Sequence, residues 1–220
     1  YLQNQEVIKH FDEVRREILN KGFVTELATT DVPITATYTT NSGFDWPGKA
    51  PGFQQEFLTV RSTHELGKTI GWKIKEGRDF SRAFASDSTA FILNETAVKY
   101  MGLKNPLGTE VIWGGDEKFT VIGVVEDLVT QSPYDPPKPT IFLLKISRTS
   151  ILNMKLNQQA SASVATKKIE SILKKYDRDN IIEFHFADEQ IARKFANEER
   201  IGKLASFFTI LAVFISCLGL

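Results

Sequence analysis

The sequence has almost no cysteine: Cys217 is the single one among 220 residues. One thiol cannot form an internal disulfide, so cysteine usage does not identify a redox compartment. The histidines are also few, and His10, His64 and His185 lie far apart with no partner at metal-ligand spacing. We therefore expect neither a disulfide nor a Cys/His zinc site.

An excess of charge of either sign is missing as well. Lys plus Arg and Asp plus Glu number 27 each, which gives a formal net charge of zero. No Lys-rich or Arg-rich block of the kind that follows a phosphate backbone occurs. The balance excludes a strong net field toward nucleic acid, so we expect no nucleic-acid partner.

The sequence patterns of catalysis are missing too. No G-x-S-x-G turn occurs, and no Ser/His/Asp or Cys/His arrangement can be proposed. "GKT" at residues 67–69 resembles the end of a phosphate-binding loop, but Ser62 stands where that loop requires glycine. Glu126 and Asp127 are more typical of a strand end than of a catalytic pair, and Asn94 begins a short N-glycosylation pattern. The sequence predicts no catalytic, cofactor-binding or metal-binding residue, and no cofactor.

Charge disappears altogether from residues 204–220, although the chain as a whole is 25% charged. A helix of this length spans roughly 26 Å, close to the ~30 Å hydrocarbon core of a bilayer. A buried core helix is the alternative, since it would tolerate Ser206, Thr209 and Ser216. A core helix usually carries charge on its outer face, so we interpret residues 204–220 as the start of a transmembrane helix.

Two charged helices are predicted near the chain ends. Val7, Phe11, Val14 and Ile18 follow helical spacing and predict an amphipathic helix over residues 6–21. A second helix begins near residue 188 and continues into the apolar run without a proline. Gly202 costs such a helix only about 1 kcal/mol, which permits flexing without a break.

Between these helices the pattern is mixed. Strands are predicted at residues 55–63, 90–93, 110–113 and 118–125, at "TIFLLKI" and "ILNMKLN", and at "NIIEFHF". Short helices are predicted near residues 66–70 and 97–101, and a longer one over residues 161–176. His185 alternates with two phenylalanines and should face solvent on its strand. Trp46 and Phe53 lie on a Gly/Pro-rich loop, where they either form a contact surface or pack on their own domain. The fold class is α+β.

Several motifs together resemble the extracytoplasmic core of MacB-type, FtsX-like ABC transporter permeases. In that family an N-E-x-A helix precedes G…N-P-[LIV]-G and then F-x-V-I-G-V-V-x-D. "KEGRDFS" at residues 75–81 and the change from charge to apolarity in "FANEERIGKLASFFTILAVFISCLGL" also resemble the family. The matching positions here are Asn94, Glu95, Ala97, Gly102, Asn105, Pro106, Gly108 and residues 119–127. The chain departs from the family's frequent D-F-H-F after the second strand, where it has "EDLVTQSPYDPPKP".

The resemblance implies a MacB-like periplasmic core of two parts. An α+β, porter-like subdomain with stalk helices would comprise residues 1–43 and 139–203. A mainly-β subdomain would be inserted as residues 44–138, with crossings near residues 42–53 and 132–139. Residues 204–220 would begin the membrane helix that follows, and a further membrane helix would precede the domain.

The resemblance also implies a function without catalysis by this domain. The domain would transmit conformational change, driven by a separate cytoplasmic ABC ATPase subunit, across the bacterial inner membrane into the periplasm. It would work beside a second permease copy, with a periplasmic adaptor or hydrolase as a further candidate partner, and would move a substrate, lipoprotein or peptide. Two alternatives stay open: a non-transporting permease that regulates a cell-wall hydrolase, and an extracytoplasmic sensor domain.

Overall fold

The computed structural model describes residues 6–35, 39–54, 56–128, 136–178 and 181–219, and side chains throughout these ranges except at 194–200. The α-helices are α1 (Glu6–Lys9), α2 (Phe11–Leu19), α3 (Leu66–Ile70), α4 (Glu95–Met101), α5 (Ala162–Tyr176) and α6 (Ala187–Leu218). The strands are β1 (Val24–Thr30), β2 (Thr40–Asn41), β3 (Phe57–Ser62), β4 (Ile74–Gly77), β5 (Ala90–Asn94), β6 (Glu110–Trp113), β7 (Glu117–Val125), β8 (Thr140–Leu144) and β9 (Ile151–Leu156). Two 3₁₀ turns lie at Ala85–Thr89 and Ile146–Arg148.

All nine described strands belong to one mixed sheet. Its main order is β4-β7-β5-β8-β3-β1-β9, with β6 beside β7 and β2 beside β3. The β5–β7 and β3–β8 pairs are parallel, and the other pairs are antiparallel. Strand β9 ends the order and, among the described residues, pairs only with β1, so its other edge is open there.

The central strands are apolar because both of their faces are covered. All five residues of β5 are buried, as expected for a strand that pairs in parallel with one neighbour and lies inside the sheet. In β7 exposed and buried residues alternate at first and then give way to a buried run. The change marks the place where β7 passes from the surface to the centre of the sheet.

Three clusters of buried side chains form the core. One lies between α1, α2, α5 and strands β1 and β9; the predicted stripe of Val7, Phe11, Val14 and Ile18 is part of it. A second is rich in aromatic rings and lies among β3, β5, β6, β7, β8 and α4. The third packs α3 and Trp72 against the middle of the sheet. The first cluster is called the helix core below.

Most predicted elements between residues 55 and 176 are present. The helix Leu66–Ile70 and the strand Glu110–Trp113 have the predicted bounds, and the other strands of that region differ by a few residues at their ends. The division into residues 1–43 with 139–203 and residues 44–138 stays a prediction, and strands from both parts share the single sheet. The predicted crossing at 132–139 lies partly outside the described residues.

Two predicted elements are wrong in detail. The first helix is interrupted at His10, where the backbone leaves helical angles and the imidazole Nδ1 lies 3.0 Å from the Glu6 carbonyl oxygen; the second part ends at Leu19. Residues 181–186 form no strand, although their exposure alternates as predicted and His185 is exposed. The alternation arises from packing, because Ile182 and Phe184 contact the helix core. Among the described residues, the segment makes no ladder hydrogen bonds with a strand.

Candidate functional site

The C-terminal helix α6 is the feature most unlike a part of an ordinary soluble domain. It runs from Ala187 to Leu218 as one helix and changes from charged to apolar along its length. The segment Ile201–Leu218 is long and apolar enough to cross a membrane, and none of it is buried against the rest of the protein. An exposed apolar helix of this length is the expected form of a membrane-spanning segment.

The polar side chains in the apolar half of α6 are satisfied within the helix. The hydroxyls of Ser206, Thr209 and Ser216 each donate to the carbonyl oxygen four residues earlier, at 2.8–2.9 Å. In hydrocarbon an unsatisfied hydroxyl costs on the order of several kcal/mol. These residues are therefore compatible with a lipid environment and do not require a buried, protein-lined one.

The N-terminal end of α6 is tied to the domain. The Thr35 hydroxyl, in the turn that follows β1, donates to the Gln190 side-chain oxygen in the first turn of α6. Glu189 and Arg193 form an exposed ion pair along the helix. A link between the sheet and the first turn of α6 gives the helix a defined point of departure from the domain.

Two of the recognised motifs meet at a pair of glycines. Gly77, from "KEGRDFS", pairs with Gly123, from "FTVIGVVEDL", between the antiparallel strands β4 and β7. A Cβ on Gly77 would lie 2.2 Å from the Ile122 carbonyl oxygen, and one on Gly123 would lie 2.3 Å from that of Arg78. Gly77 also has a φ of +72°. Only glycine fits at both positions, which gives the shared motifs a steric reason.

Arg78 extends this junction into the turn after β4. Its guanidinium binds the fully buried carboxylate of Asp87 through two hydrogen bonds, of 2.8 and 2.6 Å, and the Ser81 amide donates to the same carboxylate. Burial alone would raise the pKa of Asp87, but the hydrogen bonds from Arg78 and Ser81 outweigh it and hold the pKa below its usual value. Next to it, burial raises the pKa of Asp79. The turn is therefore fixed by a bidentate ion pair.

Arg82 joins this turn to the N-terminal helix. Its Nε donates to Glu65 at 2.6 Å, and its terminal nitrogens donate to Asp12 on α2 at 2.7 and 3.3 Å. The hydrogen bond to Glu65 is the main cause of a raised pKa at Arg82. Glu65 is buried, and one of its oxygens has no partner within the described part of the chain. Arg82 is thus the polar bridge between α2, α3 and the turn after β4.

Asn94 organises a second junction, at the end of β5. Its oxygen accepts from the amides of Ala97 and Thr140, and its amide group donates to Asp127 at 2.6 Å and to the Lys138 carbonyl at 2.9 Å. Asp127 also accepts from the amide and hydroxyl of Thr96. Asp127 therefore fixes the junction by its hydrogen bonds. Asn94 is buried and its side-chain nitrogen is hydrogen-bonded, so in this fold it is not exposed for glycosylation.

Two cavities lie along the sheet. The smaller, of about 40 Å³, is mainly apolar and lies between β3 and the chain near Asn94. The larger, of about 510 Å³, is a cleft between β9 and residues 183–191, with Ile169 of α5 contributing to its wall. No group of His, Cys, Asp and Glu able to hold a metal ion occurs among the described residues.

The structure separates the other residues considered in the sequence. Gly67 of "GKT" lies inside α3, packed against Trp72 and Asp79, where no loop for phosphate exists. His10, His64 and His185 occupy three different regions. The aromatic loop packs on its own domain: Trp46 is buried, its indole donates to the Met101 carbonyl at 3.1 Å, and Phe53 contacts its ring edge to face.

Comparison with known families gives one match over most of the chain. The family model of the MacB-like periplasmic core domain matches residues 10–172. No curated protein sequence matches. The match includes both motif junctions described above, around Gly77 with Gly123 and around Asn94 with Asp127.

Three solved structures share the fold of this chain. The periplasmic region of MacB from Actinobacillus actinomycetemcomitans is 19% identical with a TM-score of 0.53, over 74% of this chain and 72% of that one. The extracellular domain of the noncanonic ABC-type transporter YknZ from Gram-positive bacteria is 14% identical with a TM-score of 0.54, over 74% and 82%. A domain of a putative permease protein from Porphyromonas gingivalis is 16% identical with a TM-score of 0.52, over 73% and 69%. The chain therefore belongs to the family of MacB-like periplasmic core domains, the periplasmic part of MacB-like ABC transporter permeases.

Proposed function

We propose that this domain transmits conformational change from an ABC ATPase, across the inner membrane, to a substrate or partner in the periplasm. In this proposal the ATPase is a separate cytoplasmic subunit, two permease copies act as a pair, and a periplasmic adaptor completes the assembly. The domain itself catalyses no reaction. Lipoproteins, peptides and small molecules are the substrate classes that such an assembly would move.

The observation that carries the proposal is the continuity of α6. A helix is stiff because its backbone hydrogen bonds repeat along its whole length, so motion imposed at one end reaches the other. Helix α6 spans Ala187–Leu218, which joins a segment suited to the membrane directly to the residue that binds Thr35. No proline interrupts it.

The Arg82 junction supports transmission within the domain. It links α2, near the start of the chain, with α3 and with the turn that follows β4. A displacement of the N-terminal helix would therefore be passed to the sheet through charged hydrogen bonds as well as through the helix core. The two-part division at residues 44 and 138 belongs to the same proposal.

The proposal is tested by changing the stiffness of α6 at Gly202. A Cβ there meets no atom within 4 Å, so neither substitution creates a clash at that carbon. Proline removes a helix hydrogen bond and kinks the helix, at a cost of about 3 kcal/mol. Alanine favours the helix by about 1 kcal/mol. Gly202→Ala is therefore the matched control for Gly202→Pro.

Full-length permease would be reconstituted with its ATPase and labelled with a spin probe at the exposed Lys104, changed to cysteine in a background without other cysteines. We expect nucleotide to change the probe-to-probe distance between permease copies in the parent protein and in Gly202→Ala. In Gly202→Pro the ATPase should still hydrolyse ATP while the distance change is lost. An unchanged response in Gly202→Pro, or no response in any protein, would contradict the proposal.

The partner is identified by affinity purification of the full-length permease from native membranes. Recovery of an ATPase with a periplasmic adaptor supports transport. Recovery of an ATPase with a cell-wall hydrolase replaces transport by regulation, and absence of an ATPase favours the sensor alternative.

A further inference from the structure

The open edge of β9 borders the larger of the two cavities described above. Within the described ranges of the chain, strand β9 pairs with β1 along one side and with no strand along the other. The cleft of about 510 Å³ lies between β9 and residues 183–191 and includes all six residues of the strand. An unpaired strand edge presents a row of amide and carbonyl groups that are suited to another strand.

Residues 181–186 have the properties of that missing strand. The sequence "IIEFHF" alternates apolar and polar positions over most of its length, and exposure alternates in the same phase. Ile182 and Phe184 already contact the helix core, which also includes Leu152 and Met154 of β9. The inward-facing residues of both segments therefore share one side of the sheet.

We propose that the open edge of β9 is a docking site for residues 181–186 of the same chain, which add to the sheet as a parallel tenth strand. The side chains fit this pairing on both faces. Ile182 and Phe184 would stay beside Leu152 and Met154, because a shift by one residue would turn them away from the helix core. Glu183 would lie on the same face as Lys155, with opposite charge.

The chain's own segment is favoured over other occupants by its position. It already lines the cleft and is covalently tied through α5, so its effective concentration at β9 exceeds that of a separate peptide. The volume is also that of a small-molecule pocket. A bound small molecule, a partner peptide and a second copy of the chain are therefore the competing outcomes of the test.

Docking has a consequence for α6 that rests on the proposed function. Helix α6 begins at Ala187, directly after the segment, so strand pairing at β9 moves the start of the helix toward the sheet. The open and docked states would then hold α6 in two different positions relative to the sheet. Failure of this coupling can be separated from failure of docking, because the two have different readouts.

Docking is tested by disulfide cross-linking in the full-length permease with its ATPase, in membranes and with native cysteines, including Cys217, changed to serine. We expect oxidation to join Asn153→Cys to Glu183→Cys or to His185→Cys, because these positions share the outer face. The control pair, Asn153→Cys with Ile182→Cys, has opposite parity and should not react. Amides of β9 should exchange about tenfold more slowly than in Glu183→Pro, which lacks a ladder donor.

Each outcome is decisive. An outer-face cross-link with exchange that accelerates in Glu183→Pro supports docking. Rapid β9 exchange without a cross-link overturns it, and so does slow exchange that Glu183→Pro leaves unchanged, since another occupant then covers the edge. A cross-link whose yield is the same with and without nucleotide keeps the docking site but overturns its coupling to α6.

Discussion

Replacing Gly77 by alanine tests whether the close contact between β4 and β7 depends on glycine. Two effects add at this position. A φ of +72° costs an L-residue about 1–2 kcal/mol, offset by about 0.4–1 kcal/mol from the less flexible unfolded chain. The new Cβ would also lie 2.2 Å from the backbone oxygen of Ile122, which cannot rotate away. Such overpacking costs about 1–3 kcal/mol, and we expect a total loss of about 2–4 kcal/mol.

Gly71→Ala separates the two effects. Gly71 has the same φ of +72°, but a Cβ there meets nothing within 4 Å. This variant should lose only about 1 kcal/mol. The assay is urea unfolding of the purified chain in detergent, with equal denaturant dependence required of both variants. If Gly77→Ala loses no more stability than Gly71→Ala, the steric account of the shared motifs is wrong.

Three further predictions concern the Asn94 junction, His64 and the apolar helix. Asn94→Ala leaves the amides of the buried Ala97 and the partly buried Thr140 without acceptors and should lower the unfolding free energy by about 3 kcal/mol. The control Asn105→Ala, at an exposed position, should lose less than about 0.5 kcal/mol, and equal losses would refute the role of Asn94. Burial lowers the pKa of His64 from 6.5, so stability falls as pH drops below about 6.5 toward the folded-state pKa. His64→Gln should reduce this loss when urea midpoints at about pH 7.5 and about pH 5.5 are compared, and an unchanged difference would contradict the assignment. Phe208→Asp combined with Leu211→Asp should cost roughly 5–7 kcal/mol and keep α6 out of the bilayer, so Cys217 of the full-length permease in membranes should react with a water-soluble thiol reagent. In the apolar control, Phe208→Leu combined with Leu211→Ile, Cys217 should stay protected, and equal protection in the Asp variant would refute the membrane assignment of α6.

The groups facing His64 explain why its pKa is lowered. Burial is the largest influence and lowers the pKa, and the charge of Arg82 acts in the same sense. Glu65 and Asp87 oppose them and raise it. A base with a lowered folded-state pKa resists protonation in the native protein, so its contribution to stability is present at high pH and lost on acidification.

The helices could be predicted from the sequence because their signals are local. The stripe of Val7, Phe11, Val14 and Ile18 repeats at helical spacing, and all four side chains are buried. The run from Leu204 to Leu218 carries no charge and is long enough to span a membrane as a helix, so its apolar surface alone predicts the segment. Strand β6 could also be predicted from the sequence, because a glycine-rich turn separates it from β7.

The junctions could not be predicted in this way because they join distant residues. Arg82 and Asp12 are 70 positions apart, and no periodicity relates them. The contact of Gly77 with Gly123 was signalled only by glycine inside a predicted strand, which indicates a close backbone approach but not its partner. For residues 181–186 the alternation predicted the exposed and packed sides correctly, whereas strand pairing depends on the neighbour and not on the segment itself.

The two ends of the sheet differ in their protection against aggregation. Strand β4 closes one end with four exposed residues, among them the charged Lys75 and Glu76, and charge on an edge discourages pairing between molecules. Strand β9, at the other end, has Lys155 as its single charge among mainly apolar residues. A fragment of this protein that stops before residue 181 would lack the segment proposed to dock on β9, so we expect it to self-associate through that open edge.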